Sequence, residues 1–308
     1  MRKFLIDTDT ASDDAVALIM AHRWADIRVE AVTIVNGNVP VEQATKNALY
    51  TLQMCNASTP VYIGCGKPLL RENFYAYYFH GEDGMGNMHY PAPIRQPETK
   101  HAVDAITEII KANPGEITLV TLGPLTNIAT ALLRAPEIAS LVHRCVIMGG
   151  AANTVGNVTP AAEYNIWVDP EAAKIVFHSG MPIEMIGWEL SRAEAALQPW
   201  EIEKIVNLGT PLARFAMECN TTALNASIKL EQASGLTLAD PVAMAVAIAP
   251  DIVTRKGEYF VDIEVTSSLT RGATVVDQLR VLQKPPNATV IFSIDVLRWK
   301  EILYHCLQ

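Results

Sequence analysis

Cysteine is sparse and scattered in this chain of 308 residues: Cys55, Cys65, Cys145, Cys219 and Cys306 are odd in number, and none stands in a CxxC pair. That argues against a disulfide framework or a zinc site and fits a reducing compartment. Basic residues are outnumbered, 24 against 33 acidic ones, and the net charge of −9 comes with no Lys/Arg cluster. A nucleic-acid footprint is therefore not expected. No apolar run reaches membrane-spanning length, and the N-terminus enters a strand without a signal-peptide layout. Linkers, repeats and low-complexity segments are also missing. Half the residues are hydrophobic and 19% are charged, as in an ordinary globular protein with a sizeable core. The expectation is a soluble, cytoplasmic protein, one domain over residues 1–308, with neither nucleic acid nor membrane among its partners.

Strand-like and helix-like segments alternate through the first 190 residues. A short apolar run at 3–6 reads as a buried strand and 15–21 as a buried helix. Further strands are read at 29–35, "TPVYIG", "ITLVTL", "RCVIMGG" and "PIEMIG", with helices over 41–55, 101–112, 124–134 and 169–178. Residues 193–249 read as mainly helical, 256–281 and 289–293 as later strands, and a last helix starts at Asp295. This order implies an α/β fold, a mostly parallel Rossmann-like central sheet with helices on both faces. In such sheets ligands bind beyond the carboxyl ends of the strands. Asp7 to Asp14, Asn36 and Asn38, Leu122 and Gly123, and Met148 to Gly150 all fall there. Residues 66–100 form a Gly/Pro/Tyr-rich connection, and loops of that length are usually functional or mobile.

The first corner, "DTDTASDD", carries Asp7, Asp9, Asp13 and Asp14. Ser12 as N-cap, with Asp13 and Asp14 in the first turn, accounts for two acids by capping and the macrodipole. It does not account for four. Two carboxylates about 4 Å apart repel by about 4 kcal/mol at an effective dielectric near 20, so the cluster needs a cation, shared protons, or side chains that point apart. Hard cations such as Ca²⁺ suit carboxylate and carbonyl oxygens, although the EF-hand spacing and terminal Glu are absent. A phosphatase corner of the haloacid dehalogenase type, Asp-x-Asp-x-Thr/Val, is matched only in part, because Ala11 stands at its last position. That reading also needs a catalytic Lys and a second acidic motif, for which Asp240 and Asp251 lack the spacing.

Three further segments combine polar groups with a plain structural reading. In "GNVTPAAEYNIWVDPEAA" (156–173), Asn157, Glu163 and Asn165 suit hydroxyl recognition, whereas Asp169 and Pro170 read as a helix start. Asp240 in "LADPVAMAVAIAPD" (238–251) is either an N-cap or a functional acid. His80, Glu82 and Asp83 in "HGEDGMGN" (80–87) are either catalytic or part of a solvated turn.

Taken together, these segments resemble the inosine-uridine-preferring nucleoside hydrolases. The family's signature Asp-x-Asp-Pro-Gly-x-Asp-Asp stands here as residues 7–14, with all four acids kept and Pro-Gly replaced by Thr10-Ala11. "NGNV", "LGPLTNIA", "MGGA", "GNVTPAAEYNIWVDPEAA" and "DPVA" follow in the family's order, from residue 3 to about 250. The resemblance implies Ca²⁺-dependent hydrolysis of the ribonucleoside N-glycosidic bond, a role in nucleoside salvage and a homo-oligomer, dimer or tetramer. It implies Ca²⁺ ligands from Asp9, Asp14, Asp240 and the Leu122 carbonyl. Asp13 would then be the base that deprotonates a water held by the ion, and Asn38 would position water and sugar. Asn157, Glu163, Asn165 and Met148 would hold the ribose, and Asp7 would support the cluster from behind. An oxocarbenium-like state gathers positive charge on the sugar, and acids and amide oxygens near the ring stabilise it more than the ground state. No organic cofactor is implied.

The chain departs from the pattern at the leaving group. Many members place a His before the metal-binding Asp of the "DP" motif, and the purine-specific branch places a Trp there; here the residue is Ala239. The base pocket is left to His80, Tyr77, Tyr78, Trp188, Asn225 and Lys229, with His80 the expected catalytic acid and Trp188 the expected base contact. A Ca²⁺- and ribose-binding protein with little or no turnover is the alternative that the missing acid raises.

Overall fold

The computed structural model describes residues 1–308. Ten strands form: β1 (Arg2–Thr8), β2 (Ile27–Ile34), β3 (Val61–Ile63), β4 (Ile117–Thr121), β5 (Arg144–Met148), β6 (Ile183–Ile186), β7 (Val253–Tyr259), β8 (Val261–Ile263), β9 (Thr274–Val276) and β10 (Ala288–Ile294). Twelve α-helices accompany them. The first six are α1 (Ser12–Arg23), α2 (Val41–Met54), α3 (Tyr77–His80), α4 (Ala102–Ala112), α5 (Thr126–Arg134) and α6 (Tyr164–Val168). The others are α7 (Pro170–Phe177), α8 (Pro199–Val206), α9 (Pro211–Glu218), α10 (Thr221–Lys229), α11 (Ala239–Ile248) and α12 (Val296–Leu307).

Eight strands make one sheet in the order β3-β2-β1-β4-β5-β6-β10-β7. Every pairing is parallel except that of β7 with β10, at the edge. The expected α/β architecture is therefore present. The expected strand at 289–293 is present as β10, whereas 256–281 is strand only in part: it holds the end of β7, then β8 and β9, which pair only with each other as a separate antiparallel ribbon. Side chains alternate between the two faces, as a strand requires. Phe4 and Ile6 of β1 join the apolar cluster containing α1, α11 and Trp299, while Leu5 joins the one containing α5 and α7. Both faces of the sheet are covered, which is why its strands read as continuous apolar runs.

The chain leaves β1 toward β2 and β3 on one side, then crosses back to β4 on the other. This reversal opens a crevice beyond the carboxyl ends of β1 and β4, the place where doubly wound sheets bind ligands. The 66–100 connection is ordered over that crevice and contains α3. It is pinned by the Tyr164 hydroxyl, which donates to the carbonyls of Gly37 (2.9 Å) and Phe74 (2.6 Å), and by Ala76 N–H, which donates to the Asn38 carbonyl (2.9 Å).

Candidate active site

The crevice forms a cavity into which segments distant in sequence converge. Asp13 comes from the first turn of α1, Asn38 from the loop after β2, Leu122 from the end of β4 and Met148 from the end of β5. Asn157, Glu163 and Asn165 enter from the loop before α6 and its first turn, and Asp240 from the start of α11.

The acidic corner is built differently from the capping reading. Ser12 is the first residue of α1 and Ala11 occupies the N-cap position, where no alanine side chain can cap. Asp14 takes over that duty, accepting from Ala11 N–H (2.8 Å) and from the Thr8 hydroxyl (2.5 Å). Ligating atoms of Asp13, Asp14 and Asp240 lie within 4.8 Å of one another. Asp9 stands outside this trio. Its Oδ2 accepts from Asn38 N–H (2.6 Å), and its buried Oδ1 has no partner. Backbone closes around Asp9 so tightly that a Cβ on Gly37 would come within 2.0 Å of Oδ2, and one on Gly123 within 2.7 Å of Oδ1. Asp7 lies off the cavity. It ties β2 and α5 to β1 by accepting from the Thr33 hydroxyl (2.5 Å) and the Asn127 amide (2.8 Å).

No lysine or arginine pairs with Asp9, Asp13, Asp14 or Asp240; the one nearby base is His80, 3.9 Å from Asp13. Burial, reinforced by Asp13, pushes the Asp14 carboxyl up to about 7. Burial and the neighbouring carboxylates hold Asp9 and Asp240 well above the usual carboxylate range. At about 4.8 Å, two such charges repel by about 3–4 kcal/mol at an effective dielectric near 20. The orphaned oxygens of Asp9 and Asp13, the lack of a basic partner and the all-oxygen donor set fit a hard divalent cation.

The expected sugar residues are brought together, and each also carries structural load. Glu163 caps α6, accepting from Asn165 N–H (2.9 Å) and Ile166 N–H (3.2 Å), and it also accepts from Gly150 N–H (2.8 Å). Burial pushes it up to about 7 in spite of those bonds. The Asn165 amide donates to the Leu122 carbonyl (2.8 Å) and reaches the Met148 carbonyl (3.3 Å) and sulfur (3.2 Å). Asn157 Oδ1 accepts from Tyr164 N–H (3.0 Å), which leaves its amide group free to donate. Asp169 does not line the cavity: it caps α7 through Ala172 N–H (3.1 Å) and also accepts from Leu69 N–H (2.8 Å) and the Thr126 hydroxyl (2.7 Å).

His80 is buried against the cavity. Asp83 staples the glycine-rich turn after it by accepting from the backbone of Met85, Asn87 and His89, and Glu82 is exposed. In "HGEDGMGN", then, only the histidine reaches the cavity. Tyr78 and Trp188 line it, the latter with its indole N–H donated to the Val155 carbonyl (2.8 Å) and the Arg192 guanidinium 4.3 Å over its ring. Tyr77, Asn225 and Lys229 do not line it, because they face outward from α3 and α10. Ser12, expected only as an N-cap, instead holds His80; sequence reasoning passed over Glu231 and Thr237, which enter the cavity from the α10–α11 loop. The one signal was their place in a polar loop just ahead of the "DP" motif.

The family model described as inosine-uridine preferring nucleoside hydrolase matches residues 4–301. The pyrimidine-specific ribonucleoside hydrolase RihA of Shewanella sp. (strain MR-7) is 40% identical, over 99% of this chain and 96% of the relative. Among solved structures, the plant nucleoside hydrolase PpNRh1 superposes with a TM-score of 0.93 at 30% identity, covering 99% of this chain and 98% of the other. The purine-preferring ribonucleoside hydrolase from Gardnerella vaginalis does so with a TM-score of 0.92 at 31% identity, with the same coverage.

Proposed function

This chain belongs to the inosine-uridine preferring nucleoside hydrolase family and is a ribonucleoside hydrolase; we propose that it works with a bound Ca²⁺ ion and that Asp13 is its base. The observation that supports this is the convergence of unpaired carboxylates on one wall of a cavity that also presents Asn38, Asn157, Glu163 and Asn165. Asp9, Asp14, Asp240 and the Leu122 carbonyl would hold the ion. When bound, it would supply Lewis-acid activation of water and an anchor for the ribose hydroxyls.

Asp13 takes the proton of the water that attacks the anomeric carbon, through an Oδ1 that no protein donor occupies. Asn38, held by its backbone N–H on Asp9 and its carbonyl on Ala76, keeps water and sugar in line. Asn157 and Asn165 bond the ribose hydroxyls, and Glu163 accepts from one of them with its remaining lone pair. As the bond to the base lengthens, these acids and amide oxygens stabilise the positive charge that grows on the sugar. His80 protonates the departing base through Nε2, since Nδ1 is occupied by Ser12. A second assignment of the base rests on the orphaned Oδ1 of Asp9, and paired variants separate the two.

The relatives differ in base, one named pyrimidine-specific and one purine-preferring, so the choice of base has to be read from this chain's own cavity. No helix is long and apolar enough to cross a membrane. The five free cysteines support the reducing, cytoplasmic setting that we propose. The deciding experiment is a reducing-sugar assay over a panel of ribonucleosides, with and without EGTA. Activity abolished by EGTA and restored by Ca²⁺ is expected; full activity in EGTA, together with metal-free protein, would end the metal claim.

A further inference from the structure

The far wall of the cavity holds an acid that the proposed mechanism does not use. Beyond the sugar-binding groups, the lining includes Tyr78, Phe79, Trp188, Leu230, Glu231 and Thr237. A nucleoside has a hydroxyl-rich half and a flat aromatic half, so this aromatic and apolar wall is where the base must lie. Glu231 is the one ionisable carboxyl on it. One of its oxygens, Oε2, accepts from the Thr237 hydroxyl (2.9 Å), which is itself 2.8 Å from the Ser227 hydroxyl. Arg192 holds the backbone of the same residue, donating to the Glu231 carbonyl (3.2 Å) while its guanidinium covers Trp188. The carboxylate is thus fixed at one oxygen and by its main chain. No protein donor reaches Oε1.

We propose that Glu231 Oε1 accepts a hydrogen bond from an N–H of the leaving nucleobase, so that it is a specificity-determining residue favouring bases that present a ring or exocyclic N–H on that edge. This rests on the ribonucleoside reading of the site. A carboxylate suits the task because it only accepts: it bonds an N–H strongly and repels a bare carbonyl or ring nitrogen. The feature spans purines and pyrimidines, since inosine offers N1–H and uridine N3–H. Ala239, small and adjacent to the same loop, adds no polar group to this wall, so Glu231 is its one carboxylate.

The test compares wild type, E231A and E231Q on matched substrates. Whichever of inosine and uridine the wild type cleaves faster is paired with its counterpart lacking that N–H, purine riboside or 3-methyluridine. E231A is expected to lose about 10–100-fold in kcat/KM on the N–H-bearing substrate, the usual size of a charged hydrogen bond. It should lose less than about 3-fold on the counterpart. E231Q keeps the shape and an acceptor oxygen, and should lose about 5-fold with the same selectivity. Thus the claim survives a poorly folded alanine variant. Equal losses on both substrates, or none on either, would overturn the proposal and leave Glu231 a support for Thr237. A wild type that cleaves no ribonucleoside would overturn the functional reading along with it.

Discussion

His80 Nδ1 lies 2.8 Å from the Ser12 hydroxyl and 3.9 Å from an Asp13 carboxylate oxygen. A histidine from the long connection is thereby fastened to the first turn of α1, beside the proposed base. Burial holds its pKa below the ordinary value, while Asp13 pulls the other way. One ring nitrogen is spent on position and the other has no protein partner, the arrangement a leaving-group acid requires.

His80→Ala should therefore be selective. Loss of general-acid assistance costs about 10²–10⁴-fold, and this is expected on inosine. p-Nitrophenyl riboside, whose phenolate departs without a proton, should lose far less. Steady-state kinetics on the two substrates decide it, and an equal loss on both would leave His80 a positioning residue.

Asp13→Ala is expected to lower kcat by about 10²–10⁴-fold with bound Ca²⁺ unchanged, and Asp9→Ala to lose the ion. Metal analysis beside the kinetics reads both. The opposite pattern, with the ion lost from the Asp13 variant and turnover alone lost from the Asp9 variant, would move the base to Asp9.

The sugar wall should reject 2′-deoxyribose strongly. Asn157, Glu163 and Asn165 would be left with unpaired polar groups, and sites built around such a hydroxyl discriminate by roughly 10⁴–10⁵-fold. Comparable kcat/KM for inosine and 2′-deoxyinosine would refute that role.

Gly37→Ala and Gly123→Ala test the cradle of Asp9. Each added Cβ would press on a carboxylate oxygen, at 2.0 and 2.7 Å, and overpacking of this kind costs about 1–3 kcal/mol. Lower melting temperatures and weakened Ca²⁺ binding are expected for both. Gly66→Ala is the control, since its Cβ would meet only Val41 at an ordinary 3.6 Å. If all three variants bind Ca²⁺ as the wild type does, Asp9 has no such confinement.

Chain-local patterns carried most of the fold. Apolar runs bounded by turn residues placed β1, β2, β4, β5 and β6, and their order with the helices implied the parallel sheet, because side-chain period and connection type are properties of neighbouring residues. The same locality made the acids of 7–14 visible as too many for a helix cap. What no spacing could show was the partner each polar group would take. Asp7 and Asp9 are two residues apart, yet one turns to Thr33 and Asn127 beneath the sheet edge and the other into a glycine cradle. Asp83 and His80 share one turn, yet only His80 reaches the cavity. Glu231 becomes a wall of the site only because the α10–α11 loop closes on the cavity that Asp13 of α1 enters from the other end of the chain, more than two hundred residues away. Periodicity determined the scaffold; burial and long-range packing decided which of its polar groups were left free to do chemistry.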